Sequence, residues 1–173
     1  MKIRHGFVSN SSSSSYIVFG ESSSRCHIPE SAYTIDPITN KYQITLPDRN
    51  YTYEFGWEDW SYTDVMEKLN FASIQAHYME DKPVVYADYM EKILSAVTRD
   101  FKETHPGESE DSLEVTFDFE KHGLCDYPYI DHQSASYEGE NIEMFASDED
   151  MDDFLFNPQT FVQGGNDNDF SYD

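Results

Sequence analysis

The period of the apolar positions changes several times along this chain, and each change marks an element. "YIVFG" (Tyr16 to Gly20) is a continuous apolar run bounded by serines, the pattern of a buried strand. The serine run ahead of it, flanked by "IRHGFV", reads as a loop between two β-prone segments. "AYTID", "KYQITLP" and "NYTYEFGW" alternate, and the joints "PITN" and "PDRN" carry turn residues, which predicts a three-stranded meander.

From Thr63, expected as an N-cap, the period becomes helical. Val65, Met66, Leu69, Ala72, Ile74 and Ala76 form one stripe. "EDKP" interrupts it, and Pro83 opens a second helix with Tyr86, Met90, Ile93, Leu94 and Val97 on its apolar face. So short a joint predicts an antiparallel pair.

"LEVTFDFE" (Leu113 to Glu120) alternates strictly and predicts a half-buried strand. "YPYIDH" is a shorter strand candidate, which Pro128 confines to an edge or a strand start. "SDEDMDDFLF" reads as a helix with Ser147 as N-cap and Asp150 in the capping-box position, with carboxylates at the positive end of the helix dipole. "NPQTFV" supplies a last strand, and "GGNDNDFSYD" reads as a polar tail. The sum is an α+β protein: a mostly antiparallel sheet, an antiparallel helix pair and a short acidic C-terminal helix. One domain is expected over 1–163, followed by a polar acidic tail over 164–173.

Composition sharpens this picture. The chain has 173 residues, enough for one sizeable core, and its 13 Tyr and 12 Phe point to a core built largely from rings. Net charge is −23, and residues 103–173 hold 20 of the 34 acidic residues with Lys121 as their single Lys or Arg. Such a field disfavours direct contact with nucleic acid or an anionic membrane and suits a basic partner. No signal peptide or membrane span is legible, so a cytosolic protein with reduced thiols is expected.

Three groups of residues are candidates for chemistry. Outward carboxylates Glu114, Asp118 and Glu120 on the strand, with Asp148, Glu149, Asp150, Asp152 and Asp153 on the last helix, could present negative charge at phosphate-like spacing. His122, Cys125 and His132, closed by Cys26, have the residue types of a zinc site. Ser11, Ser12, Ser13, Ser14 and Ser15 offer adjacent hydroxyls for modification. "DEDMDD" fails as a calcium loop, because counting from Asp148 its sixth and twelfth positions hold Asp153 and Gln159 instead of Gly and Glu. The ring-rich "YTYEFGWEDWSY" is read as core more readily than as a recognition surface.

The opening "RHGFVSNSSSSSYIV", with Arg4, Gly6, Phe7, Val8, Ser9 and Asn10 ahead of the serines, resembles the N-terminal signature of a scattered group of small, mostly uncharacterised proteins from large bacteriophages and some bacteria. "YIDHQS" and "FLFNPQTFVQGGNDND" resemble the C-terminal part of the same group. The resemblance implies a phage or phage-related origin and carries no activity with it. Together these features lead to the expectation of an acidic, non-enzymatic binding protein in the cytoplasm of an infected bacterial host. It would engage or inhibit a basic, nucleic-acid-binding host or phage protein as a DNA mimic, without cofactor. A virion or assembly protein and a zinc-containing domain or hydrolase are the alternatives.

Overall fold

The computed structural model of the chain describes residues 2–5, 13–48, 50, 54–55, 60–77, 79–119, 129–130 and 145–166. In chain order the strands are β1 (Lys2–His5), β2 (Ser13–Phe19), β3 (Thr34–Ile35), β4 (Tyr42–Leu46), β5 (Glu54–Phe55) and β6 (Trp60–Tyr62). Helices α1 (Val65–His77) and α2 (Pro83–Thr104) follow, then β7 (Leu113–Phe117), β8 (Tyr129–Ile130), α3 (Asp148–Phe156) and β9 (Phe161–Asn166). The fold is α+β with an antiparallel helix pair, as the periodicities predict.

Helix α1 is the centre of the core. Every residue from Val65 to Ala76 is buried except Glu67, including Lys68, Asn70, Ser73 and Gln75. A helix covered on all sides needs more than its apolar stripe, and α1 meets α2, α3 and β4 on different faces. Its N-terminus is fixed one residue later than the expected Thr63. Asp64 Oδ1 accepts from the Met66 amide at 2.8 Å while the Asp64 amide donates to Glu67 Oε2 at 3.3 Å, a reciprocal capping box.

Helix α2 begins at Pro83, where the missing N–H costs nothing. Its buried face is Tyr89, Ile93, Ala96, Val97, Asp100 and Phe101. This corrects the expected stripe: Ile93 and Val97 point inward, Tyr86 and Met90 are half-buried, and Leu94 is 44% exposed. The true face runs through the small Ala96 and the acidic Asp100, neither of which an apolar count would select.

Helix α3 is capped as read from the sequence, with Ser147 Oγ accepting from the Asp150 amide at 3.0 Å. It buries Met151, Phe154, Leu155 and Phe156. Phe145 and Phe154 pack with ring centroids 4.9 Å apart, and Tyr89 of α2 meets Phe145 edge-on. Rings do carry this part of the core.

The strands form three sheets among the described residues. The largest has the order β1-β2-β9-β6, antiparallel throughout. The second is β3-β4-β7, and the third pairs β5 with β8. Among the described residues the three-stranded meander does not form: β3 and β4 are an antiparallel hairpin, but β4 then pairs in parallel with β7, Tyr42 opposite Leu113 and Leu46 opposite Phe117. Parallel neighbours need a long crossover, and the segment holding α1 and α2 supplies it. Strand β5 finds its partner in β8 instead, also in parallel.

The serine run is not simply a loop. Ser13, Ser14 and Ser15 lie within β2 opposite Asn166, Gly165 and Gly164 of β9. Backbone pairing needs no apolar side chain, so a strand can run through serine and glycine where the period-2 signal is silent. For the same reason β9 continues three residues into the stretch expected to be tail. Ser11 and Ser12 lie outside the described residues.

Candidate functional site

Between β2 and the 3-10 turn at Glu30–Ala32 the chain runs along α3 and α2, and this strap brings Arg25 and His27 to carboxylates of both helices. The Cys26 amide donates to Phe156 O at 2.7 Å, tying the strap to the end of α3. The Ile28 amide donates to Asp100 Oδ2 at 2.9 Å, tying it to α2. Alternation along an extended chain then sends Arg25 and His27 to the opposite side from Cys26 and Ile28.

Arg25 joins three carboxylates from two helices. Its two terminal nitrogens grip both oxygens of Asp152, Nη2 reaching Oδ1 at 3.2 Å. Nε lies 3.1 Å from Glu103 Oε2, and Nη2 lies 3.7 Å from Asp100 Oδ1. The guanidinium carbon sits 4.1 Å above the Phe156 ring. Arg99 adds a second guanidinium to Asp152 at 3.0 Å. Burial opposes the charge on Arg25, but Asp152, Glu103 and Asp100 together hold its pKa above the ordinary value.

Asp100 is fully buried, and desolvation raises its pKa against the opposing effects of the Ile28 amide, His27 and Arg25. His27 Nδ1 is 2.8 Å from Asp100 Oδ1, and the ring is largely open to solvent. The Tyr33 hydroxyl is buried without a hydrogen-bond partner among the described residues. Burial, then the charges of Asp100 and Glu30, raises its pKa. The Tyr33 ring packs edge-on against Phe101 and Tyr42.

Among the described residues His27, Asp100 and Glu103 bring possible ligand atoms within 4.8 Å of one another. Arg25 already neutralises both carboxylates, so the arrangement is built as an ion-pair clamp rather than as a cation cage. Of the zinc ligands expected from sequence, Cys26 is a half-buried free thiol packed against the core. His122, Cys125 and His132 lie outside the described residues.

A second polar cluster sits inside the core. The Lys68 ammonium, with no exposed surface, donates to Asn157 O at 3.0 Å and Thr160 O at 3.1 Å. Burial pushes its pKa down to about 8, against the opposing charges of Cys26, Asp64 and Asp153. Asn157 Nδ2 donates to Gly20 O at 2.8 Å and to Asp153 Oδ1 at 2.9 Å. This network fixes the turn between α3 and β9.

The structure divides the expected acidic surface in two. Asp152 faces Arg25 and Arg99, and Asp153 is bonded by Asn157 and Thr160, so both serve the interior. Asp148 and Glu149 are exposed on the first turn of α3, and Asp150 is half-buried beside its cap. Glu114 is exposed on β7 and accepts from Gln43 Nε2 at 2.8 Å. Asp118 is half-buried just past β7, and Glu120 lies outside the described residues.

Arg25, His27, Lys68 and Asp100 escape a search by motif. Two of them leave a trace: Lys68 and Asp100 are charged residues standing at apolar-stripe positions of their helices, three residues from Val65 and Val97. A charge on a buried face requires a partner, and that requirement is the available signal. No family model, curated protein or solved structure matches the chain.

Proposed function

We propose that this is an acidic, non-enzymatic protein that binds a basic protein through its exposed carboxylates. The observation that carries this reading is the division of the carboxylates. Those with local cations are used to hold the fold together, whereas Glu108, Asp111, Glu114, Asp148 and Glu149 are exposed and have no ion pair among the described residues. With a net charge of −23, such groups repel one another, and a cationic partner relieves that repulsion.

In the stricter form of this proposal the carboxylates stand in for DNA phosphates and occupy the basic cleft of a nucleic-acid-binding protein. The phage-like N-terminus supports a setting in the cytoplasm of an infected bacterium, with a host or phage protein as partner. No helix among the described residues is long and apolar enough to cross a membrane.

The test is capture from bacterial lysate on the immobilised protein beside a variant carrying Glu114→Lys, Asp148→Lys and Glu149→Lys. The proposal expects a basic protein that elutes with salt and is lost on the variant. Equal retention of the same proteins by both would sink it.

A further inference from the structure

The outer face of α2 carries an open groove of about 590 Å³, within the usual range for recognition clefts of about 300–1,000 Å³. Leu94 lines it with Glu91, Thr98, Lys102, Glu103 and Glu110. From this the geometry points to a docking groove for a basic segment of a partner protein, with an apolar side chain against Leu94 and cationic side chains on the flanking carboxylates. The inference rests on the proposed function and goes beyond it by adding a contact site with an apolar anchor to the exposed carboxylates that carry that reading.

Two observations favour that occupant. Leu94 is one of few large apolar side chains left exposed among the described residues, at 44%, on a helix whose inward face is otherwise satisfied. The charges around it are also uneven: Glu103 is held by Arg25 at 3.1 Å and Glu110 by Lys102, which leaves Glu91 as the lining carboxylate open to a further cation. The cations lining the groove are committed, Arg99 to Asp152 at 3.0 Å and Lys102 to Glu110 at 2.7 Å. Glu91 is exposed and has no ion pair among the described residues. An anionic or purely apolar occupant would meet Glu91 unpaired within a strongly negative protein; a lysine- or arginine-bearing segment would not.

The Lys102–Glu110 pair closes the groove from one side. Both side chains are more than half exposed, 51% and 60%, and an ion pair so exposed opens at little cost. A partner cation can take the place of Lys102 on Glu110, so the protein's own lysine competes with its ligand.

The test uses two fluorescein-labelled synthetic peptides, one with a leucine flanked by lysines and one with serine in place of that leucine. Binding is followed by anisotropy at physiological salt. The leucine peptide should bind the native protein more tightly. Leu94→Ser should weaken it about fivefold, as expected for loss of a half-exposed leucine contact, and erase the preference over the serine peptide. Glu91→Lys should weaken both peptides, and Lys102→Met should tighten both.

If the two peptides bind alike and only Asp148→Lys with Glu149→Lys weakens them, the groove assignment is overturned while the acidic-binder reading stands. Absence of binding by either peptide overturns the groove as well, and the lysate capture then judges the broader reading by itself.

Discussion

Gly20 and Gln159 approach so closely that a β-carbon built on Gly20 would lie 2.4 Å from both the Cβ and the carbonyl oxygen of Gln159. The contact brings the end of β2 against the turn that precedes β9, and Asn157 seals it by donating to the Gly20 carbonyl. Part of what it meets is backbone, which cannot swing aside. Gly20→Ala is therefore expected to destabilise the protein by about 2–4 kcal/mol, at the upper end of overpacking costs. Urea denaturation decides this: a midpoint within error of the native one would show that the strands separate there without cost.

Asp152 gathers two guanidiniums, from Arg25 on the strap and Arg99 on α2. Asp152→Ala leaves a partly buried Arg25 short of its main partner, and a loss of roughly 2–3 kcal/mol is expected, between the values for surface and buried pairs. Arg25→Met should cost less, because the methionine keeps the packing over Phe156. A double-mutant cycle should give a coupling of roughly 1–2 kcal/mol. Strict additivity would mean that the clamp adds no coupling energy to the fold.

Lys68 makes stability depend on alkaline pH in an unusual direction. Its folded pKa of about 8 lies below the ordinary 10.5, so between these values the unfolded chain binds the proton more strongly. Stability should therefore rise with pH from about 8 upward, by an amount on the order of 3 kcal/mol if the lysine acted alone. Tyr33, whose pKa is raised, acts the other way above pH 10 and caps the gain. Denaturation midpoints measured between pH 7 and 10 check this, and Lys68→Met should abolish the rise. The same variant should lose stability at pH 7, because the buried carbonyls of Asn157 and Thr160 each lose a hydrogen bond from the ammonium.

The Ser147 hydroxyl oxygen caps α3 by accepting from the Asp150 amide. Ser147→Ala is expected to cost about 1 kcal/mol, and Ser147→Asp to restore most of it despite the neighbouring carboxylates, because charge there faces the positive end of the dipole. If Ser147→Asp proves less stable than Ser147→Ala, repulsion among Asp148, Glu149 and Asp150 outweighs the cap.

How far the structure can be read from the sequence follows from the range over which each interaction acts. Ser147 as cap, Pro83 as helix start and the alternating β7 are local matters: a cap reaches three residues, and a period is visible within its own segment. These were legible. Leu94 shows where legibility ends. A helix with apolar residues at both 93 and 94 can turn either inward, and the choice fell to Ala96 and Asp100, which face the core only because the strap supplies partners. Of the acidic residues read as surface, Asp148 and Glu149 remain there. Asp152 and Asp153 do not, because the cations and amides that claim them come from residues 25, 99, 157 and 160.

By itself the sequence determined most of the elements, the α+β class and a strongly negative net charge, since these depend on composition and near-neighbour patterning. Tertiary structure decided which strands pair, with β4 reaching past two helices to β7 and the serines of β2 meeting the glycines of β9. It also decided which carboxylates hold the fold and which are left exposed. Strand pairing and charge pairing join groups distant along the chain, and neither leaves a periodic mark on it.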